Sequence, residues 1–396
     1  MGSLPVVAAP VKSPGRVERA ATAVSRLRGW LATAGRRGVV LTGPGPVAWA
    51  TGGVNLAVDR TAAVDVVWVV VTHDSAVLIT TAVEGPRISA ELDPGGRGFG
   101  LVEVPWWQPD AFVAAAATAA GVPAEELAAD GHPGFGIDAT DELVALRLRL
   151  TTAEQAELRD LGRDAAAALQ TALAAWRPGE SDFAVAARVG AGLEARGADA
   201  PVLIVGGDDR VERFRHPLAI GAGMNRFVMA VVVARRWGLH VAATRFACAG
   251  GLSPAFCDQQ ALVDVIDADV VAASRPGSSY GEVLAVLAQA YRDAGEPGAW
   301  QQHYQGGPIG YAQREFELAP GQSDARWFHE PVALGHAVAW NPSLRGGAKR
   351  EDTYLVTADG AEAVTVAPDW PTQESGEARR PAVLDVDSGE AARRKS

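Results

Sequence analysis

Over the first 150 residues the apolar positions switch repeatedly between the period of a helix and the period of a strand. Apolar residues recur at helical spacing over residues 17–35, which predicts an amphipathic helix, and residues 38–42 follow as a short strand. Gly43-Pro44-Gly45-Pro46 reads as a turn. Residues 63–72 form an apolar run too continuous to leave one face in water, so they predict a central strand. Further on, Thr152-Ala153-Glu154-Gln155 has the spacing of a capping box and opens a long Ala-rich helix to Trp176. Arg177-Pro178-Gly179 ends that helix, and Ser181 caps another over 182–196. Residues 227–246 read as two strands joined at 235–238 and closing on the pair Thr244-Arg245. Residues 1–14 and 371–396 lack periodicity and are rich in Pro, Ser, Gly, Glu and Arg, which predicts disordered ends.

A chain of 396 residues exceeds what one core supports, and 48% hydrophobic content is enough for two. The expected fold class is α/β in two domains, 15–150 and 151–370. Cys248 and Cys257 form no CxxC or Cys/His cluster, so neither a disulfide framework nor a zinc site is indicated, and a reducing, cytoplasmic setting is expected. The start lacks the layout of a signal peptide, and no run of 18 apolar residues occurs, so membrane spanning is not expected. A formal charge of −11 offers no electropositive footprint for nucleic acid. Small molecules or a protein remain as partners.

Four segments carry the chemistry: the strand pair ending at Thr244-Arg245, Gln305-Gly306-Gly307-Pro308-Ile309-Gly310-Tyr311, Ala339-Trp340-Asn341-Pro342-Ser343, and Lys349-Arg350-Glu351-Asp352. In this order and spacing they resemble the pita-bread family of methionine aminopeptidase, aminopeptidase P, prolidase and creatinase. The resemblance covers residues 17–368 and implies a creatinase-type N-terminal α/β domain followed by a pita-bread domain. The metallopeptidases of that family hold two divalent ions on two Asp, one His and two Glu. Those positions fall here on Val231, Ala242, Gly307, Asn341 and Glu351, so only the last carboxylate survives. One carboxylate and one amide do not supply the donors a dinuclear centre needs. A metal-free site without a cofactor is the expectation.

Within the family the metal-independent creatinase is the nearest pattern. Its substrate-binding His matches His216 in Arg213-Phe214-Arg215-His216-Pro217, and its Arg-Glu pair matches Arg314-Glu315. An arginine lent across its dimer matches Arg60, after Thr51-Gly52-Gly53-Val54-Asn55. Two departures, Thr244 and Asn341 in place of glutamates, make creatine a poor substrate. His216, Glu351 and Glu315 are thus the candidate catalytic groups, with His216 as the proton-transfer residue because imidazole titrates near neutrality. Glu351, without a metal beside it, acts as an acid or pairs with an arginine. Arg60, Arg245 and Arg314 are expected to converge on a carboxylate, since guanidinium forks grip that group, although Arg245 can also pair with Glu351 structurally. Asn341 would orient a water or carbonyl, and His303 and His240 flank the motifs as weaker substrate contacts. Trp106-Trp107 reads as core or interface.

The expected function is metal-independent cleavage or rearrangement of a C–N bond in a small carboxylate-bearing metabolite, by a homodimer using His-assisted acid–base catalysis. A non-catalytic binding protein that kept the cleft, as peptidase-like domains of histone chaperones have done, is the alternative. A metallopeptidase with ligands rearranged onto His216, His303, Glu315 and Glu351 is the third reading.

Overall fold

The computed structural model describes residues 14–387 apart from 55, 109, 320, 322, 324, 376 and 377. The chain divides into two compact units. One holds the described residues up to Arg147 with Trp237–Leu239, and the other holds Leu148–Arg236 with the described residues from His240 onward.

The first unit is built on a six-stranded mixed sheet. Its order is Gly100–Val104, Ala76–Thr81, Val67–Thr72, Gly38–Leu41, Ala128–Ala129, Ile137–Asp138. The apolar run does supply an interior strand, Val67–Thr72, antiparallel to both neighbours and buried from Val67 to Val71. Trp68, Val70 and Ile79 pack with Val40, Val104 and Leu127 under the helix Ala111–Ala120. The amphipathic segment is the helix Pro14–Ala34. Gly43-Pro44-Gly45-Pro46 is not a turn: it opens the helix Pro44–Ala50. Proline at the first helical position has its ring torsion already set and lacks only an N–H that would go unused. Trp106 and Trp107 are 66% and 64% exposed and meet edge to face, so the expectation of core fails for both. Arg60 lies in this unit, on an exposed turn, and Asn55 lies outside the described residues.

The second unit carries two four-stranded sheets. In one, Leu384–Asp385, Leu239–Cys248, Phe227–Arg236 and Asp199–Gly207 lie in that order. In the other, Gly306–Ile309, Ala337–Trp340, Asp352–Thr357 and Gly360–Ala363 form an antiparallel meander. The expected strand pair is the first sheet's centre, turning through Trp237 and Gly238, both at positive φ. The helix Thr152–Ala174 is capped one residue earlier than its sequence suggested. Thr151 Oγ1 accepts from Glu154 N at 3.3 Å, and Glu154 returns a bond to Thr151 N at 2.7 Å. A glutamate is the stronger acceptor, and Glu154 also takes the Tyr311 hydroxyl at 2.7 Å, so the register settles on it rather than on Gln155. Ser181 caps Asp182–Glu194 as expected.

The C-terminal expectation needs correction. Thr372–Ser375 and Ala378–Pro381 pair as a hairpin, and Leu384–Asp385 joins the first sheet. Gln373 Nε2 donates to Asp264 at 2.8 Å, Arg380 lies 3.0 Å from buried Asp267, and Trp370 Nε1 donates to the Ala382 carbonyl at 2.8 Å. Specific partners order a composition that looks disordered. Residues 1–13 and 388–396 of the two expected disordered ends lie outside the described residues. Among the described residues, no helix is long and apolar enough to cross a membrane.

Candidate functional site

A cleft in the second unit has two lobes that share His216, Asn341 and Lys349. The first, about 500 Å³, has an apolar floor that includes Ile204, Val231, Val233 and Ala242, and its polar wall is His216, Arg314, Asn341, Lys349 and Glu351. The second, about 590 Å³, lies between the segment 213–216 and the loop 343–349.

Strand alternation builds the polar wall. Side chains of an extended segment point alternately to opposite faces, so in Lys349-Arg350-Glu351-Asp352 the first and third meet the cleft and the other two face away. On the far side Arg350 Nε meets Asp264 at 2.9 Å, and Asp352 meets Arg245 at 2.7 Å. On the cleft side Lys349 Nζ lies 3.4 Å from Glu351 Oε2, which also accepts from Thr244 Oγ1 at 2.7 Å. Gln260 grips the Lys349 backbone, accepting from its N–H and donating to its carbonyl, both at 3.2 Å. Lys349 is one of three lysines in the chain, and sequence reasoning passed over it. The alternation was the signal that could have found it.

His216 lies in a bend just after the helix Asp208–Arg213 and its extended cap Phe214. Pro217 presses this segment onto the strand Asp199–Gly207 so closely that a Cβ on Gly206 would lie 2.7 Å from Pro217 Cβ. The imidazole is held below its ordinary pKa, first by partial burial and then by the Lys349 charge, against the opposing pull of Glu351. It is therefore neutral at neutral pH, the state a general base requires. Asn341 donates through its side-chain nitrogen to the carbonyls of Tyr304 at 2.7 Å and Gln305 at 3.2 Å. Turned the other way, the amide would reach only Glu351 Oε1 at 3.5 Å, too far for a useful hydrogen bond, so the carbonyls decide its orientation.

Several expected site residues are not in this cleft. Glu315 is buried, and its Oε1 accepts from the backbone N–H groups of Tyr311 at 2.7 Å and Ala312 at 3.2 Å, which fixes the loop instead of meeting a ligand. Arg245 is buried against Asp352, Thr244 O and Thr365 O, so its ion pair is with Asp352 rather than Glu351. His240 directs Nδ1 at the Gly310 carbonyl, 3.1 Å away. Convergence of Arg60, Arg245 and Arg314 fails at Arg245, whose guanidinium is spent on Asp352 and two backbone carbonyls. Arg314 does line the cleft, stacked 4.9 Å from the Tyr304 ring centroid and ion-paired to Glu317. His303 lines the second lobe. Its Nδ1 lies 2.7 Å from the Tyr304 carbonyl and its Nε2 3.0 Å from Ser343 Oγ, and burial pushes its pKa down to about 3.

Most of the chain superimposes on known peptidases. It matches dipeptidase PepE from Mycobacterium ulcerans at a TM-score of 0.73, with 20% identity over 93% of this chain and 98% of that one. The Xaa-Pro dipeptidase from Bacillus anthracis matches at 0.68, with 22% identity over 88% and 98%. The fold is the pita-bread fold. The N-terminal domain of FACT complex subunit SPT16 from chickpea, Cicer arietinum, shares it at 0.65, with 10% identity over 89% and 96%. No family model and no curated protein matches the sequence.

The donor set does not fit the dinuclear metal centre that the resemblance attaches to this fold. Val231 and Ala242 put methyl groups on the cleft wall, Asn341 spends its amide on carbonyls, and the one remaining carboxylate, Glu351, carries an ammonium at 3.4 Å. Among the described residues, no group of three or more His, Cys, Asp or Glu is arranged to hold a metal ion, and the rearranged set with Glu315 fails because that carboxylate is already occupied. No step is therefore routed through a metal. What the pita-bread cleft retains is one neutral imidazole, one buried Lys-Glu pair, an amide and an arginine around an apolar floor.

Proposed function

We propose that this chain is a metal-independent hydrolase that cleaves a C–N bond in a small carboxylate-bearing molecule. The observation that carries the reading is the Lys349-Glu351 pair beside neutral His216. A buried ammonium supplies, next to the surviving carboxylate, positive charge of the kind a divalent ion would otherwise bring. In this reading His216 takes a proton from water as the water oxygen adds to the carbon of the scissile bond. The resulting imidazolium returns the proton to the departing nitrogen. Lys349 stabilises negative charge that develops on the substrate, Glu351 and Thr244 hold Lys349 in position, and Arg314 takes the substrate carboxylate at the wall of the apolar lobe. The reading further has the chain act as a homodimer, with exposed Arg60 serving the partner subunit's cleft.

The second reading, a cleft that binds without catalysis, draws on the likeness to a domain of a FACT complex subunit. The test is a thermal-shift screen of amino, guanidino and amidino acids and short peptides, followed by turnover assays of every stabilising compound with wild type and His216→Ala. Turnover that His216→Ala abolishes supports the enzyme. Stabilisation without turnover by wild type replaces it with the binding protein, and full activity of His216→Ala removes the proposed proton-transfer role.

A further inference from the structure

The second lobe of the cleft has a charge pattern that the chemistry above uses only at Lys349. Arg213, Arg215, Arg345 and Lys349 line it, and Glu212 is the one carboxylate among its lining residues. Arg215 is the centre of the pattern. It is partly buried, yet among the described residues its guanidinium is held only by neutral acceptors: Ser343 O at 3.2 Å, Ser343 Oγ at 2.5 Å and Gln302 Oε1 at 3.3 Å. Several other buried or half-buried arginines of this chain, Arg245, Arg350 and Arg235 among them, meet carboxylates. A guanidinium withdrawn from water and left without an anion is unfavourable unless an anion arrives from outside. Burial, the larger cause, and the neighbouring Arg345 charge both lower its pKa, which agrees with that geometry.

The lobe is also rigidly supported. Ser343 is fixed by Tyr291, whose hydroxyl lies 2.9 Å from the Ser343 N–H and 3.2 Å from its carbonyl. With His303 Nδ1 donating to the Tyr304 carbonyl, its Nε2 is an acceptor, with Ser343 Oγ and Gln305 Nε2 each 3.0 Å away, and the Ser343 oxygen accepts from Arg215. The loop carrying Arg345 is closed by the Ser343 to Lys349 bridge and by Leu344 N to Ala348 O at 3.0 Å. Its tip, Gly346 and Gly347, sits at φ of 89° and 94°, and a Cβ on Gly347 would come within 2.8 Å of Val211. Glycine there keeps the backbone close and leaves the volume open.

We infer that this lobe is a second oxyanion subsite, so that the compound the cleft binds carries a phosphate or second carboxylate group beyond the end held near Lys349 and Arg314. The inference rests on the proposed function for the identity of the reacting end, but not for the subsite itself. The test is isothermal titration, at constant ionic strength set with chloride, using inorganic phosphate in one arm and succinate in the other. Saturable binding of either probe to wild type is expected. Arg215→Gln and the exposed loop substitution Arg345→Gln should each weaken it, the former about tenfold or more, with unchanged melting temperatures. Arg314→Gln, in the apolar lobe, separates the two lobes: phosphate binding that Arg215→Gln weakens more than Arg314→Gln belongs to this subsite, and binding that only Arg314→Gln weakens overturns the inference. Phosphate alone binding assigns a phosphate-bearing ligand, and succinate alone a second carboxylate. Absence of saturable binding of both probes, or equal affinity in wild type and both subsite variants, overturns the inference. Turnover plays no part in this readout, so loss of the His216 chemistry would not be mistaken for loss of the subsite.

Discussion

Replacing Arg245 with methionine separates a structural role from a ligand-binding one. Arg245 and Asp352 are 3% and 2% exposed, and the guanidinium makes hydrogen bonds of 2.8 Å to Thr244 O, 2.7 Å to Asp352 Oδ1 and 2.7 Å to Thr365 O. Methionine fills much of the volume but removes all three. Asp352 would keep Thr365 Oγ1 at 2.6 Å, while its Oδ2 already has no hydrogen-bond partner among the described residues. Removing one partner of a buried ion pair leaves a charge that neither water nor protein compensates, which costs about 3–5 kcal/mol. For a cooperative unit of 150–250 residues, about 2–4 °C per kcal/mol converts this to a melting temperature lower by roughly 6–20 °C. The assay is thermal unfolding by circular dichroism, with Arg245→Met/Asp352→Asn as the companion. Neutralising the stranded carboxylate should recover part of the loss and give a positive coupling in the double-mutant cycle. Arg245→Met unfolding within about 1 kcal/mol of wild type, with ligand affinity lost, would refute the reasoning and return Arg245 to the cleft.

Lys349→Met should raise the His216 pKa, because the ammonium is the second cause, after burial, that holds it down. Imidazole proton shifts followed against pH read this without turnover, and an activity profile should show its acid limb moved to higher pH. An unmoved titration would mean that the two groups do not interact. His336 gives a prediction about acid stability. It is buried, its Nδ1 lies 3.0 Å from the Tyr280 hydroxyl, and burial, then the Arg149 charge, lower its pKa to about 4. The folded state therefore binds fewer protons than the unfolded chain between the ordinary histidine value, about 6.5, and about 4. Its contribution is complete above that window and is lost as pH falls through it, to a total of roughly 3 kcal/mol. Urea midpoints of His336→Gln should fall less steeply over the same window than those of wild type, and parallel slopes would discard the assignment.

Periodicity made the elements legible and partners decided the roles. The central strand at Val67–Thr72 and the pair Phe227–Arg236 and Leu239–Cys248 follow from apolar spacing alone, because burial of an entire strand leaves few alternatives. His216, Asn341, Glu351, Arg314 and His303 meet at the cleft because the motif order fixes which strand ends face it. Glu315, Arg245 and His240 could not be assigned that way. Arg245 and His240 have partners far along the chain, at Asp352 and Gly310, and Glu315 folds back on Tyr311 of its own loop, because a buried polar group goes to whichever partner satisfies it. The same reasoning explains why Lys349 was overlooked. A motif position on its own shows only which donor it lacks, whereas the buried carboxylate of Glu351 needs a charge that balances it. An unpartnered buried carboxylate costs several kcal/mol, so buried Glu351 calls for a cation on the same strand face. Two residues away is the nearest position that alternation allows, and that position is Lys349.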